Sequence, residues 1–329
     1  MLTRRRLLAL SSASVFAPAI LARAANAQVQ GWPNRIVRLI LPFPAGGGAD
    51  LIGRLVGAKL SEMWGQQVVI ENRGGAGGNI ASEATARSAP DGYTFFLAGD
   101  FLSTNLYLYP KLSYDPIADL TPVSLVVKFP TVIVVPNISP VRSVGEFIAH
   151  AKEKGGALTY ASPGHGTSPH LTAELFKRVA GIEMTHVPYR GAAPALQDLV
   201  PGRVDSFFNN IAPTVALMKS GQIRGVAISS AKRAPAMPDL PTIAESGFPG
   251  FDVPGWYAFF MPAKTPPEIV SKIAADTRTV LADPMVKGRL EQNALFVEPS
   301  TPEEMGAYLA ADMKKWEPII RDAGIRFRE

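Results

Sequence analysis

The residues most able to do chemistry in this 329-residue chain stand in Ser162-Pro163-Gly164-His165-Gly166-Thr167-Ser168-Pro169-His170, where serines and histidines alternate at short spacing. A serine nucleophile needs an imidazole within hydrogen-bond reach and a third group to orient that imidazole. No G-x-S-x-G elbow exposes Ser162 or Ser168, and no carboxylate offers itself as the orienting group. A Ser/His hydrolase using Ser162 or Ser168 with His165 or His170 therefore stands as an alternative, and the chain is not expected to be an enzyme. His150, His165, His170 and His186 include no H-E-x-x-H and no His/Cys cluster along the sequence, so no metal or other cofactor is expected. His186, in a short apolar stretch, reads as a structural histidine.

Binding chemistry is better supplied. Pro42-Phe43-Pro44-Ala45-Gly46-Gly47-Gly48-Ala49-Asp50 joins an apolar run to a helical pattern. Its glycines let backbone approach a ligand, and the helix that follows offers unpaired N–H groups and the positive end of its dipole, which suits a carboxylate. Neither a Gly-Lys-Ser/Thr nor a G-x-G-x-x-G follows, so this is no phosphate or dinucleotide loop. In Ser162–His170, Ser168 suits a helix N-cap and Pro169 the first helical position. Pro188-Tyr189-Arg190-Gly191-Ala192-Ala193-Pro194 repeats the pattern, and Asn209-Asn210 adds two side-chain amides.

The elements that must carry these loops are short apolar runs alternating with helical periodicity. Strands are expected at 36–41, 68–70, 93–98, 131–135, 158–161, 204–208, 225–228 and 256–261. Leu51, Ile52, Leu55, Val56, Leu60 and Met63 share one helical face; further helices are expected at 80–88, 267–282, 284–293 and 302–322. This order implies an α/β protein with mostly parallel sheets flanked by helices, whose ligands sit outside the carboxyl ends of the strands.

The N-terminus reads as an export signal: Arg4, Arg5 and Arg6, an apolar run of about 15 residues from Leu7 to Leu21, then Ala25-Asn26-Ala27. A membrane-spanning helix needs roughly 20 apolar residues, so residues 1–27 are expected to be cleaved. Thr3-Arg4-Arg5-Arg6-Leu7-Leu8 resembles a twin-arginine signal, with the Sec route as the alternative. The formal charge of +5 includes four arginines and no acid before residue 28, so the remainder carries about +1. That balance gives no footprint for nucleic acid. Cysteine is absent, which excludes disulfides and thiolate chemistry. The expected mature chain exceeds what one core usually serves, so two lobes are expected.

Many spaced motifs resemble one family. They are Trp32-Pro33, Pro42 to Asp50, Val69-Ile70-Glu71-Asn72-Arg73-Gly74-Gly75-Ala76-Gly77-Gly78-Asn79-Ile80, Ala89-Pro90-Asp91-Gly92-Tyr93-Thr94, Leu112-Ser113-Tyr114-Asp115-Pro116, His186-Val187-Pro188-Tyr189-Arg190-Gly191, and Ser229 to Arg233 through Pro241-Thr242. Together they are similar to the tripartite tricarboxylate transporter substrate-binding proteins, the Bug-type receptors. The resemblance implies a periplasmic binding protein fold of type II-like, two-lobed form, closing on a small carboxylate for a membrane permease. It implies lobe 1 from residues 28–128 with 253–329, lobe 2 from 129–252, and a monomer. It also implies a carboxylate held by the Phe43–Asp50 and Ser162–His170 loops, largely through main-chain groups and water.

The ligand-binding set expected on these grounds is Phe43, Pro44, Ala45, Gly46, Gly47, Asp50, Asn79, Asp100, Phe101, Ser103, Ser162, Gly164, His165, Gly166, Thr167, Ser168, His170, Tyr189, Arg190, Gly191, Asn209, Asn210 and Trp256. Two departures from the family pattern bear on the ligand. Asp100-Phe101 interrupts a loop that is usually small, and Asn209 stands where an acid is common. Together with the aromatic residues Phe101, Phe208 and Trp256, the missing acid favours a plain organic or aromatic carboxylate over an amino acid. A receptor that docks on a membrane sensor kinase remains an alternative to one that serves a permease.

Overall fold

The computed structural model describes residues 31–322 and residue 325; the expected export signal lies outside the described residues. Strands β1 (Val37–Leu41), β2 (Val68–Asn72) and β3 (Thr94–Gly99) run parallel in the order β2-β1-β3. Helices α1 (Gly48–Trp64) and α2 (Asn79–Ala86) connect them. These strands are apolar runs rather than alternating ones because both faces of the sheet are covered. Leu39 and Phe95 pack under α1, whereas their neighbours Ile40 and Phe96 join the core on the opposite face. A glycine in the left-handed conformation, Gly65, stops α1.

A second parallel set follows: β5 (Thr159–Ser162) lies between β6 (Thr185–Pro188) and β7 (Ser206–Asn210). Helices α3 (Phe101–Leu108), α4 (Val144–Glu153), α5 (Ser168–Ala180), α6 (Ala192–Leu199) and α7 (Val215–Lys219) surround it and its junction with the first set. Phe147, Tyr160, Phe176 and Phe208 fill one face and Val134, Ala195, Leu199 and Phe207 the other.

Strand β4 (Leu120–Pro136) belongs to both sheets. Up to Pro130 it pairs antiparallel with β9 (Pro254–Pro262); from Thr131 it pairs with β7 and with β8 (Ile223–Ile228). Strand β9 in turn lies antiparallel to β3. The sheets are therefore mixed, each with three parallel strands and antiparallel strands at the junction, rather than mostly parallel throughout. The sequence concealed the first half of β4 because Pro122 and Pro130 read against a strand. The register shifts between Pro122 and Ser124, which accommodates the first of them.

Helices α8 (Pro267–Ala282), α9 (Pro284–Glu291) and α10 (Pro302–Asp322) complete the chain, and β10 (Phe296–Val297) adds a short antiparallel edge to β4. Along α10, Met305, Leu309 and Met313 pack on the first sheet while Trp316 and Ile320 enter the core of the second. Among the described residues no helix is long and apolar enough to cross a membrane.

Candidate functional site

A cleft opens where the two sheets meet. Its walls are the first residues after the parallel strands. Phe43, Gly47, Gly48 and Ala49 come from the β1–α1 turn, Asp100 and Phe101 from the β3–α3 turn, and Pro163 with Thr167 to Pro169 from the β5–α5 loop. Ala192, Asn209, Asn210 and Pro213 close it from the second sheet, Phe129 from β4, which belongs to both sheets, and Tyr257 from β9 beside it.

Three helices, α1, α5 and α6, begin at this cleft, and none of their N-caps makes a side-chain cap. The N–H groups of a helix's first turn lack intrahelical partners and carry the positive end of the dipole, so the cleft is polarised to receive negative charge. Side chains add donors. The amide nitrogens of Asn209 and Asn210 and the hydroxyl of Ser168 are buried without a hydrogen bond of good geometry. These residues are 1%, 5% and 2% exposed, respectively. Leaving such groups unpaired normally costs stability, which makes their gathering on one cavity a sign of a ligand.

Close packing sets this geometry. A Cβ on Gly48 would stand 2.5 Å from Asn210 Nδ2, so only glycine lets the amide of the second sheet lie against the start of α1. On the far wall, a Cβ on Gly255 would meet Ser168 Oγ at 2.5 Å, Phe129 at 2.5 Å and Asp100 Oδ2 at 2.6 Å. The missing side chain makes room for the Asp100 carboxylate, which accepts the Ser168 main-chain N–H at 3.0 Å and lies 3.4 Å from the Trp256 N–H. Burial pushes its carboxyl up to about 7, against the lowering effect of Ser168.

Of the residues expected at the site, Phe43, Gly47, Asp100, Phe101, Thr167, Ser168, Asn209 and Asn210 line the cleft. Asn209 and Asn210 are the last residues of β7 rather than a loop after it. The structure adds Gly48, Ala49, Phe129, Pro163, Pro169, Ala192, Pro213 and Tyr257. Gly48, Ala49, Pro163, Pro169 and Ala192 sit inside loops the sequence already singled out. Phe129 and Tyr257 had no local signal, because their position depends on where β4 and β9 pair.

The other expected residues support the walls instead of lining them. Asp50 turns beneath its own loop, accepting from Gly46 N–H at 3.1 Å and from Arg54 and Asn72. Burial would raise its carboxyl, but the Arg54, Gly46 and Asn72 donors outweigh this and hold it low. Ala45 is exposed, and Pro44 packs near Gly74 and Gly191. Asn79 accepts from Asn105 and Tyr114 inside the first sheet's side of the junction. Ser103 lies within α3 and donates to Asp312 at 2.7 Å; Trp256 Nε1 donates to the same oxygen at 2.9 Å from the core. Tyr189 donates to Asp198, Gly191 N–H reaches the Pro163 carbonyl, and Arg190 is exposed. Phe208 likewise belongs to the core of the second sheet.

Ser162, Gly164, His165, Gly166 and His170 form the scaffold behind the cleft. His165, His170 and His186 bring ring nitrogens within 4.8 Å of one another, a cluster the sequence spacing did not announce. It arises because β5 and β6 are neighbours, which sets His186 beside Tyr160 and the loop after β5. His170 and His186 stack at 4.3 Å and 15°, so their in-plane lone pairs run side by side rather than converging on a tetrahedral ion. His170 Nδ1 accepts from Gly166 N–H at 3.2 Å, and His186 Nε2 lies 2.7 Å from the Ser162 hydroxyl. Burial, with the neighbouring His165 and Lys177, pushes His186 down to about 3; burial, with His186, His165 and Lys177, holds His170 well below its usual value. The Ser/His contact that forms is thus Ser162 with His186, and Ser162 is fully buried outside the cleft lining.

Comparison with known proteins places the fold and the cleft in context. Residues 52–325 match the family described as the tripartite tricarboxylate transporter family receptor. The protein BugT of Bordetella pertussis is 33% identical over 307 residues, which cover 93% of this chain and 94% of BugT. A Rhodopseudomonas palustris protein solved with adipate is 38% identical, with a TM-score of 0.87 over 90% of this chain and 99% of that one. MatC from Rhodopseudomonas palustris, solved with bound malate, is 32% identical, with a TM-score of 0.83 over 88% of this chain and 100% of MatC.

Proposed function

The chain belongs to the family of tripartite tricarboxylate transporter receptors, periplasmic solute-binding proteins with Bug-type members, and we propose that it captures a small organic carboxylate for a tripartite tricarboxylate-type permease. The observation that carries this reading is the buried, unpaired amide nitrogen of Asn209, with the Asn210 amide and the Ser168 hydroxyl buried without a hydrogen bond of good geometry, beside the uncapped starts of α1 and α5. A carboxylate accepts several hydrogen bonds at once and is favoured by two helix dipoles, with water completing contacts that the backbone does not reach. The relatives solved with adipate and malate support a carboxylate as the ligand class.

In this reading residues 28–128 with 253–329 form one lobe and 129–252 the other, and the chain hinges where β4 passes from one sheet to the other and where the chain returns into β9. Ligand shifts an open population toward the closed one by its extra contacts in the closed state. The protein works as a monomer in the periplasm after export by a Tat-like or Sec route, with no cofactor and no turnover of the ligand.

A thermal-shift screen of the purified protein against mono-, di- and tricarboxylates tests the reading. A ligand that binds only the folded state raises the midpoint by mass action, and the rise shrinks in Asn209→Ala. No shift with any carboxylate, or chemical conversion of the carboxylate that binds, defeats it. Isolation of the loaded protein with a membrane sensor kinase instead of permease subunits would redirect the partner alone.

A further inference from the structure

Of the three helix starts at the cleft, those of α1 and α5 are not equivalent. At the start of α1 no protein carboxylate faces the cavity, since Asp50 is turned beneath the loop toward Gly46, Arg54 and Asn72. Asn210 Nδ2, buried without a hydrogen bond of good geometry, lies against Gly48 at that end. At the start of α5 the position is already taken: Asp100 from the first sheet's side reaches across and accepts the Ser168 N–H at 3.0 Å. The remaining surface is apolar and ring-rich, with Phe43 and Phe101 edge to face at 6.0 Å and Phe129 and Tyr257 at 4.9 Å.

We propose that the cleft selects a monocarboxylate with a flat apolar body, because Asp100 occupies the place at the α5 N-terminus that the second carboxylate of a dicarboxylate would take. This rests on the carboxylate reading above and narrows it. The single carboxylate lies at α1 with Asn209 and Asn210, and the apolar body spans the aromatic walls toward Asp100. A second carboxylate there would meet a like charge, with the Ser168 main-chain N–H already in use. The ionisable groups around Asp100 do not relieve this: Asp312, Tyr257 and Tyr308 face it, and none is a cation.

The test is calorimetric titration of the full-length mature protein and of Asp100→Asn with benzoate, adipate and malate. The wild type is expected to bind benzoate at least tenfold more tightly than either dicarboxylate. In Asp100→Asn, whose amide oxygen still accepts from Ser168, the adipate-to-benzoate affinity ratio is expected to rise at least tenfold. Wild-type protein gives a second readout, since the same ratio rises as pH falls through about 7 and Asp100 gains its proton. Adipate or malate binding as tightly as benzoate to the wild type, or a ratio indifferent to both substitution and pH, overturns the inference and leaves the carboxylate reading standing. Failure of every carboxylate to bind removes the broader reading, and this one with it.

Discussion

Asn210 Nδ2 lies 2.5 Å from the point a Cβ on residue 48 would occupy, so the two sheets meet through an amide laid on a helix start. Gly48→Ala must push that amide away. We expect carboxylate affinity to fall at least tenfold, with the far-UV spectrum preserved and the thermal midpoint lowered by only a few degrees. Titration calorimetry and thermal melts of the two proteins check both halves.

The Asn209 amide is buried and unpaired, so it contributes little to the ligand-free fold. Asn209→Ala is expected to leave ligand-free stability unchanged or slightly raised, since an unpaired donor is removed. Binding should weaken by about 1.5–3 kcal/mol, the usual worth of a hydrogen bond to a charged group. Denaturant midpoints without ligand and affinities with it separate these effects.

Trp256 and Tyr257 are adjacent on β9 and face opposite ways, as strand geometry requires. Trp256→Phe loses the Nε1 donor to Asp312 and should cost about 1–3 kcal/mol of stability while affinity changes little. Tyr257→Leu should do the reverse, weakening an aromatic ligand by about 1 kcal/mol as a wall of the cleft is lost. Equal effects on affinity would contradict this assignment.

The histidine cluster predicts acid sensitivity. His170 and His186 are held neutral in the fold, with His186 lowered to about 3, whereas both would titrate near 6.5 in the unfolded chain. Below 6.5 the unfolded state binds more protons, so stability is greatest above that value and falls as pH drops from 6.5 toward 3. Denaturant midpoints measured across that window should decline in the wild type and decline less steeply in His186→Gln.

Much of the site was readable because helix starts have a local signature. Gly46-Gly47-Gly48 at α1 and Ser168-Pro169 at α5 announce helix N-termini whatever surrounds them, and the cleft lies there, although Thr167 rather than Ser168 stands at the N-cap of α5 and makes no side-chain cap. Asp100 and Asn209 could be singled out as departures from a family pattern. Which side chains of those loops face inward was not readable. Asp50 and Ser168 look alike as polar residues beside a helix start, yet Arg54 and Asn72 draw Asp50 beneath its loop while Ser168 stays on the cavity.

By itself the sequence determined the alternating α/β elements, the loops that end the parallel strands and the family. These follow from periodicity, glycine and proline positions, and ordered motifs within short windows. Only the tertiary structure decided that β4 passes between sheets, that Tyr257 rather than Trp256 faces the cleft, and that His186 meets His165 and His170. It also decided that Asp100 reaches Ser168 across 68 positions of chain. Such pairings depend on the direction of side chains and the register of distant strands, which local propensities do not encode.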